Sequence, residues 1–180
     1  MSKPKSQPDS SPNQGFTCGC CGEHHAELPL AYGTHAPALY YQIAEAERKS
    51  RCELTSDLCV IDEEYFFIVG NLEIPIQGID RLFSWDVWVS LSRENFSRTC
   101  KLWESPEREG EPPCFGWLST ALRGYPDTLI LKTHVHTRAI GFRPYIELEP
   151  TDHPLAVEQR NGITMERVQK IAEMVIHQDD

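Results

Sequence analysis

The residues best suited to chemistry are Phe16-Thr17-Cys18-Gly19-Cys20-Cys21-Gly22-Glu23-His24-His25, a C-x-x-C-G turn with two histidines behind it. Two thiols at this spacing on a glycine-bearing turn can grip one tetrahedral cation while backbone amides point at the sulfurs. That is half of a structural zinc site, which takes four protein ligands. Cys18 and Cys21 are the first two. His25 is the nearest imidazole that a continuing turn could swing back, and Cys59, in a strand-like run, would staple the turn to the core. Cys20, His24, His35 and Cys52 are spare candidates. The interval from Cys52 to Cys59 is too long for a second knuckle, so the paired zinc pattern is absent. The competing account is a set of reduced, unliganded thiols with Cys59 a small apolar core residue. A redox dithiol would need its first cysteine at a helix N-terminus, and Gly22 followed by Pro29 opposes a helix there.

Other constellations are less specific. Alternation puts His134 and His136 on one strand face with Lys132, which is either a shared ligand row or a solvated face. Arg143, Tyr145, Glu147 and Glu149 share a face of the next strand, and His153 follows. Together Arg143, Glu147, Glu149 and His153 could line the acid/base cleft of a hydrolase, with or without a metal. The simpler account is a cross-strand ion-pair ladder followed by a loop. The sequence contains no nucleophile elbow, P-loop or dinucleotide glycine fingerprint. No catalytic residue is therefore assigned, and the chain reads as a binding domain before an enzyme.

The elements that must position these residues follow from composition and periodicity. A chain of 180 residues with 40% apolar content can bury one substantial core. Residues 1–15 are polar and rich in Pro and Ser, which predicts a disordered tail, and 16–180 a single globular domain. No apolar run reaches the roughly 20 residues that a membrane helix needs, and no signal-type segment opens the chain. Seven cysteines without an export signal imply reduced thiols and a cytoplasmic location. A net charge of −10 repels a phosphate backbone, so a protein partner is expected, with neither nucleic acid nor membrane. Periodicity predicts helices over 37–49 and from Ser92, and a last helix over 165–177 capped by Thr164. Strands are predicted over 58–61, 65–69, 72–76, 85–91, 128–137 and 142–148, with Gly70-Asn71 read as a turn. The fold class expected is α+β, an antiparallel meander with helices packed on one face and a zinc-knuckle-like turn at the amino terminus. Trp88, out of phase with Val87 and Val89, is expected on the second sheet face under a helix or a partner.

Several strings recur together: Phe16-Thr17-Cys18 with Cys21-Gly22 and His25, Ser56-Asp57-Leu58-Cys59-Val60-Ile61-Asp62, Leu72-Glu73-Ile74-Pro75-Ile76, Trp85-Asp86-Val87-Trp88-Val89-Ser90-Leu91, Phe115-Gly116-Trp117-Leu118, Tyr125-Pro126-Asp127-Thr128-Leu129, and Arg143-Pro144-Tyr145-Ile146 running on to Ala156. With them the chain resembles the uncharacterised bacterial family called domain of unknown function 2199. The resemblance implies a bacterial, cytoplasmic, single-domain protein whose motif positions are Cys18, Cys21, Gly22, His25 and Cys59. It carries no activity.

Overall fold

Alternating apolar residues give the longest strands, and these organise everything else. In the computed structural model, which describes residues 15–177, β1 (Phe16–Thr17) and β2 (His24–His25) form a small hairpin around the cysteine turn. The expected tail over 1–15 lies, except for Gly15, outside the described residues. Then come β3 (Ala31–Gly33), α1 (Ala38–Gln42) and α2 (Glu45–Arg51). The helix expected over 37–49 is thus two, divided where Ile43 turns extended and its side chain enters an apolar cluster. Next are β4 (Cys52–Leu54), β5 (Leu58–Ile61), β6 (Tyr65–Pro75), β7 (Leu82–Leu91) and α3 (Arg93–Lys101). A 3-10 turn at Pro106–Gly110 precedes β8 (Cys114–Leu118), β9 (Lys132–His136), β10 (Tyr145–Leu148), α4 (Pro154–Asn161) and α5 (Met165–Ile176).

The α+β class holds, but the sheet is no simple meander. Strands β6, β7, β8, β9 and β10 close into a five-stranded barrel, because β6 pairs with both β7 and β10. β10 joins β6 in parallel, as β3 joins β7. The reason lies in Gly70, which is not a turn: β6 runs straight through it. A Cβ there would meet Ile146 Cδ1 at 2.6 Å and the Pro144 carbonyl at 2.8 Å, so only glycine lets β10 approach. The next amide, Asn71 N, donates to that same Pro144 carbonyl at 2.8 Å.

Period-two alternation along β6 then feeds two cores. Phe66, Ile68, Leu72 and Ile74 enter the main core with Phe83, Trp85, Val87 and Val89 of β7. Phe67 and Val69 point the other way, into a smaller cluster with Ile43, Cys59, Ile61 and Trp88. Trp88 is covered within the chain, with Leu39 and Tyr40 of α1 against the same cluster, and its indole N–H donates to the Thr34 carbonyl at 3.0 Å. The helices accordingly occupy two sides rather than one face. Phe96 of α3, Leu155 and Ala156 of α4, and Val168 and Ile171 of α5 pack into the main core. Among the described residues no helix is long and apolar enough to cross a membrane.

Candidate metal centre

The cysteine turn closes on itself through two backbone bonds. Cys18 N donates to the Glu23 carbonyl at 2.8 Å, and Gly22 N donates to the Cys18 carbonyl at 2.9 Å. Gly22 has φ of +76°, a left-handed conformation that glycine adopts without strain, and it turns the chain back into β2. The β1–β2 register then sets Phe16 opposite His25, and the two rings stack with centroids 4.9 Å apart. Local pairing thus delivers the imidazole to the thiols. One donor atom each from Cys18, Cys21 and His25 lie within 4.8 Å of one another.

These residues fit a divalent cation in three respects. The donor set, two sulfurs and an imidazole, is the set zinc prefers. His25 Nε2 is buried with no hydrogen-bond partner among the described residues, which leaves it open to an ion. The surroundings of the Cys18 sulfur favour its thiolate. The Cys21 backbone amide, helped by the Cys20 amide at 3.3 Å and by His177, outweighs desolvation and draws its thiol down to about 6. Cys21 goes the other way: the Glu23 amide favours its thiolate, but desolvation and the adjacent Cys18 sulfur push its thiol up. Two sulfurs this close resist carrying two negative charges, and a cation between them removes that resistance.

A second group shares Cys18. Donor atoms of Cys18, Cys20 and His177 also lie within 4.8 Å of one another, with Cys18 Sγ and His177 Nε2 3.0 Å apart. His177 closes α5, and that helix is seated directly on the turn. Glu173 Oε1 accepts from Gly19 N at 2.7 Å, Gln169 Nε2 donates to the Thr17 carbonyl at 3.2 Å, and Ala172 packs against Phe16 and Cys18. No spacing rule connects His177 to Cys18, so sequence reasoning missed it.

The structure does not bring Cys59 to the turn. It lies fully buried in β5, among the apolar side chains beneath α1, and burial pushes its thiol up to about 12. It belongs to neither donor group. Cys52 packs against the same apolar cluster, and His35 lines a separate cleft.

The four residues of the acid/base reading are engaged with different partners. Arg143 lines a cleft of 1010 Å³ between α2 and the sheet, whose described lining includes none of Glu147, Glu149 or His153. Its guanidinium is spent on Asp57 at 2.9 Å, Asp86 at 2.8 Å and the Ser56 carbonyl at 3.1 Å. Glu147 faces His136 at 2.7 Å, and Glu149 faces Lys132 at 3.8 Å and His134 at 3.9 Å, which is the ion-pair ladder. His153 caps α4, its Nδ1 accepting from Leu155 N at 3.2 Å. The sequence pattern gave no sign of that helix beyond Pro154 at its first turn.

Neither the comparison with curated proteins nor that with solved structures returned a match. The family described as "Uncharacterized protein conserved in bacteria (DUF2199)" matches residues 17–163, which take in Cys18, Cys21 and His25 and stop short of α5. The chain belongs to that family.

Proposed function

We propose that this chain is a zinc-stapled protein-interaction domain, with a structural ion held by Cys18, Cys21 and His25 and no catalytic role of its own. The observation that carries the reading is the convergence of those three donors within 4.8 Å, on a histidine whose Nε2 is buried without a hydrogen-bond partner among the described residues. A zinc whose remaining position is filled by protein stabilises a fold; one left open to water would instead act as a Lewis acid. Support for a contact surface comes from the outer face of the barrel. Phe115 and Trp117 of β8 stand 39% and 40% exposed, edge to face with ring centroids 4.9 Å apart, and Ile130, beside Trp117, is 74% exposed. Paired exposed aromatics are frequent anchors of protein contacts. Elemental analysis of the purified protein tests the metal: one zinc per chain is expected, absent from Cys18→Ser and Cys21→Ser. A metal-free wild-type protein would refute the reading.

A further inference from the structure

We propose that His177 is the fourth ligand of this centre, so that one ion in a two-cysteine, two-histidine site latches α5 onto the amino-terminal turn. The inference rests on the reading that the turn binds zinc, and it adds a residue outside the segment 17–163 matched by the family.

The geometry of α5 carries it. Gln169, Glu173 and His177 fall four residues apart, on one stripe of the helix. The first two are already bonded to the turn, Gln169 to the Thr17 carbonyl and Glu173 to Gly19 N, and they bond each other at 2.9 Å. One turn further on, the same stripe places His177 Nε2 3.0 Å from Cys18 Sγ. Sulfur and nitrogen bound to one tetrahedral zinc lie about 3.5 Å apart, given bonds of about 2.3 and 2.0 Å. The Cys18–His177 pair therefore needs to open by only about half an ångström for shared ligation, while His177 must also draw toward Cys21 and His25, which form a separate group around the same sulfur.

Cys18 is the hinge of the arrangement, because it belongs both to the group with Cys21 and His25 and to the group with His177. Joining the two groups at their common sulfur gives five donors, one more than a tetrahedral ion takes. Cys20 is the competing thiol, since it also lies within 4.8 Å of Cys18 and His177. Its amide, however, already donates to the Cys18 sulfur at 3.3 Å, the role of an intervening residue in a knuckle. Cys21 groups with Cys18 and His25, whose Nε2 has no hydrogen-bond partner among the described residues. With Cys18, Cys21, His25 and His177 in place no position remains for water, and the ion ties together residues 159 positions apart.

The test uses the full chain and cobalt(II) as a visible replacement for zinc. Wild-type protein should bind one equivalent with the intense visible absorption of a tetrahedral site and the ultraviolet sulfur charge-transfer band of two thiolates. His177→Ala should bind at least about tenfold more weakly and lose the tetrahedral intensity. His177→Cys should recover it with a stronger sulfur band, and Cys20→Ser should match wild type. Hydrogen exchange provides the second readout: α5 amides should be protected more strongly with zinc than with chelator. If His177→Ala keeps wild-type affinity and spectrum, the inference fails while the zinc reading stands. Loss of half the sulfur band in Cys20→Ser would overturn the proposed ligand set. Should wild-type protein bind neither cobalt nor zinc, the zinc reading fails and this inference with it.

Discussion

Cys18 Sγ and His177 Nε2 lie 3.0 Å apart although 159 positions separate them in the chain. The contact joins the cysteine turn to the end of the last helix, with Gly19 and Thr17 bonded to the same helix on the way. A metal ligand set at this junction would tie the hairpin to α5, whose Val168 and Ile171 are held in the main core, so releasing the ion would loosen the hairpin from that core.

Cys59 separates the metal account from the simpler picture in which any thiol at a motif position serves as a ligand. In the apolar cluster under α1 its thiol behaves as a small hydrophobe. Cys59→Ser is expected to keep full zinc content while losing about 1–3 kcal/mol of stability, the cost of burying an unpartnered hydroxyl. Cys18→Ser should do the reverse in zinc content and lose the ion. Zinc analysis beside urea unfolding checks both, and loss of metal from Cys59→Ser would contradict the assignment.

Barrel closure depends on the missing side chain at Gly70. Gly70→Ala should cost about 1–3 kcal/mol, the range for overpacking a filled site, since its methyl would press on Ile146 and the Pro144 carbonyl. Gly110→Ala is the control, because a Cβ there meets nothing within 4 Å. Equal unfolding midpoints for the two variants would show that β10 does not need the glycine.

The ionic network beside the closure predicts an acid response. Asp57 Oδ1 accepts from Arg143 Nε at 2.9 Å, and Asp86 ties the same guanidinium to Asn71. Desolvation raises the Asp57 carboxyl, but the Ser56 hydroxyl and Arg143 outweigh it and hold the group below its ordinary 3.8. A carboxylate with a depressed folded value binds its proton later than the unfolded chain does. Its contribution is therefore full above the unfolded value and is lost as the pH falls through the folded one. Unfolding free energies measured from neutral pH downward should drop less steeply over that range for Asp57→Asn than for wild type. Parallel slopes would remove Asp57 from the acid response.

The contact surface predicts a division between stability and binding. Trp117→Ala should lower the unfolding free energy by only about 0.5–1.5 kcal/mol, the worth of its edge-to-face pair with Phe115, because the residue stands 40% exposed. It should also abolish stoichiometric capture of whatever protein the wild type retains. A partner retained equally by the variant would move the binding surface elsewhere.

What the sequence made legible was local. Cys18, Cys21 and His25 fall within eight positions, so turn and hairpin geometry alone unite them, and the caps Ser92 and Thr164 accept from Asn95 N and Arg167 N as their types require. His177 was illegible because its partner is set by how α5 packs, and packing leaves no spacing in the chain. Gly70 misled for a physical reason: glycine marks turns and close backbone approaches alike, and only the position of β10 decides between them. Strand β8 escaped notice because it is short and Gly116 interrupts its pattern. That glycine also answers to tertiary contact, since a Cβ would meet Val89 Cγ1. Cys59 shows the converse, a residue type suited to chemistry that packs in an apolar cluster outside both donor groups.

The most direct measurement is the intact mass of the wild-type protein under native conditions, followed by thermal unfolding with and without a strong chelator. The account predicts a single mass one zinc above the bare chain, together with a melting temperature that falls when the ion is stripped. A bare chain whose melting is indifferent to chelator would contradict it.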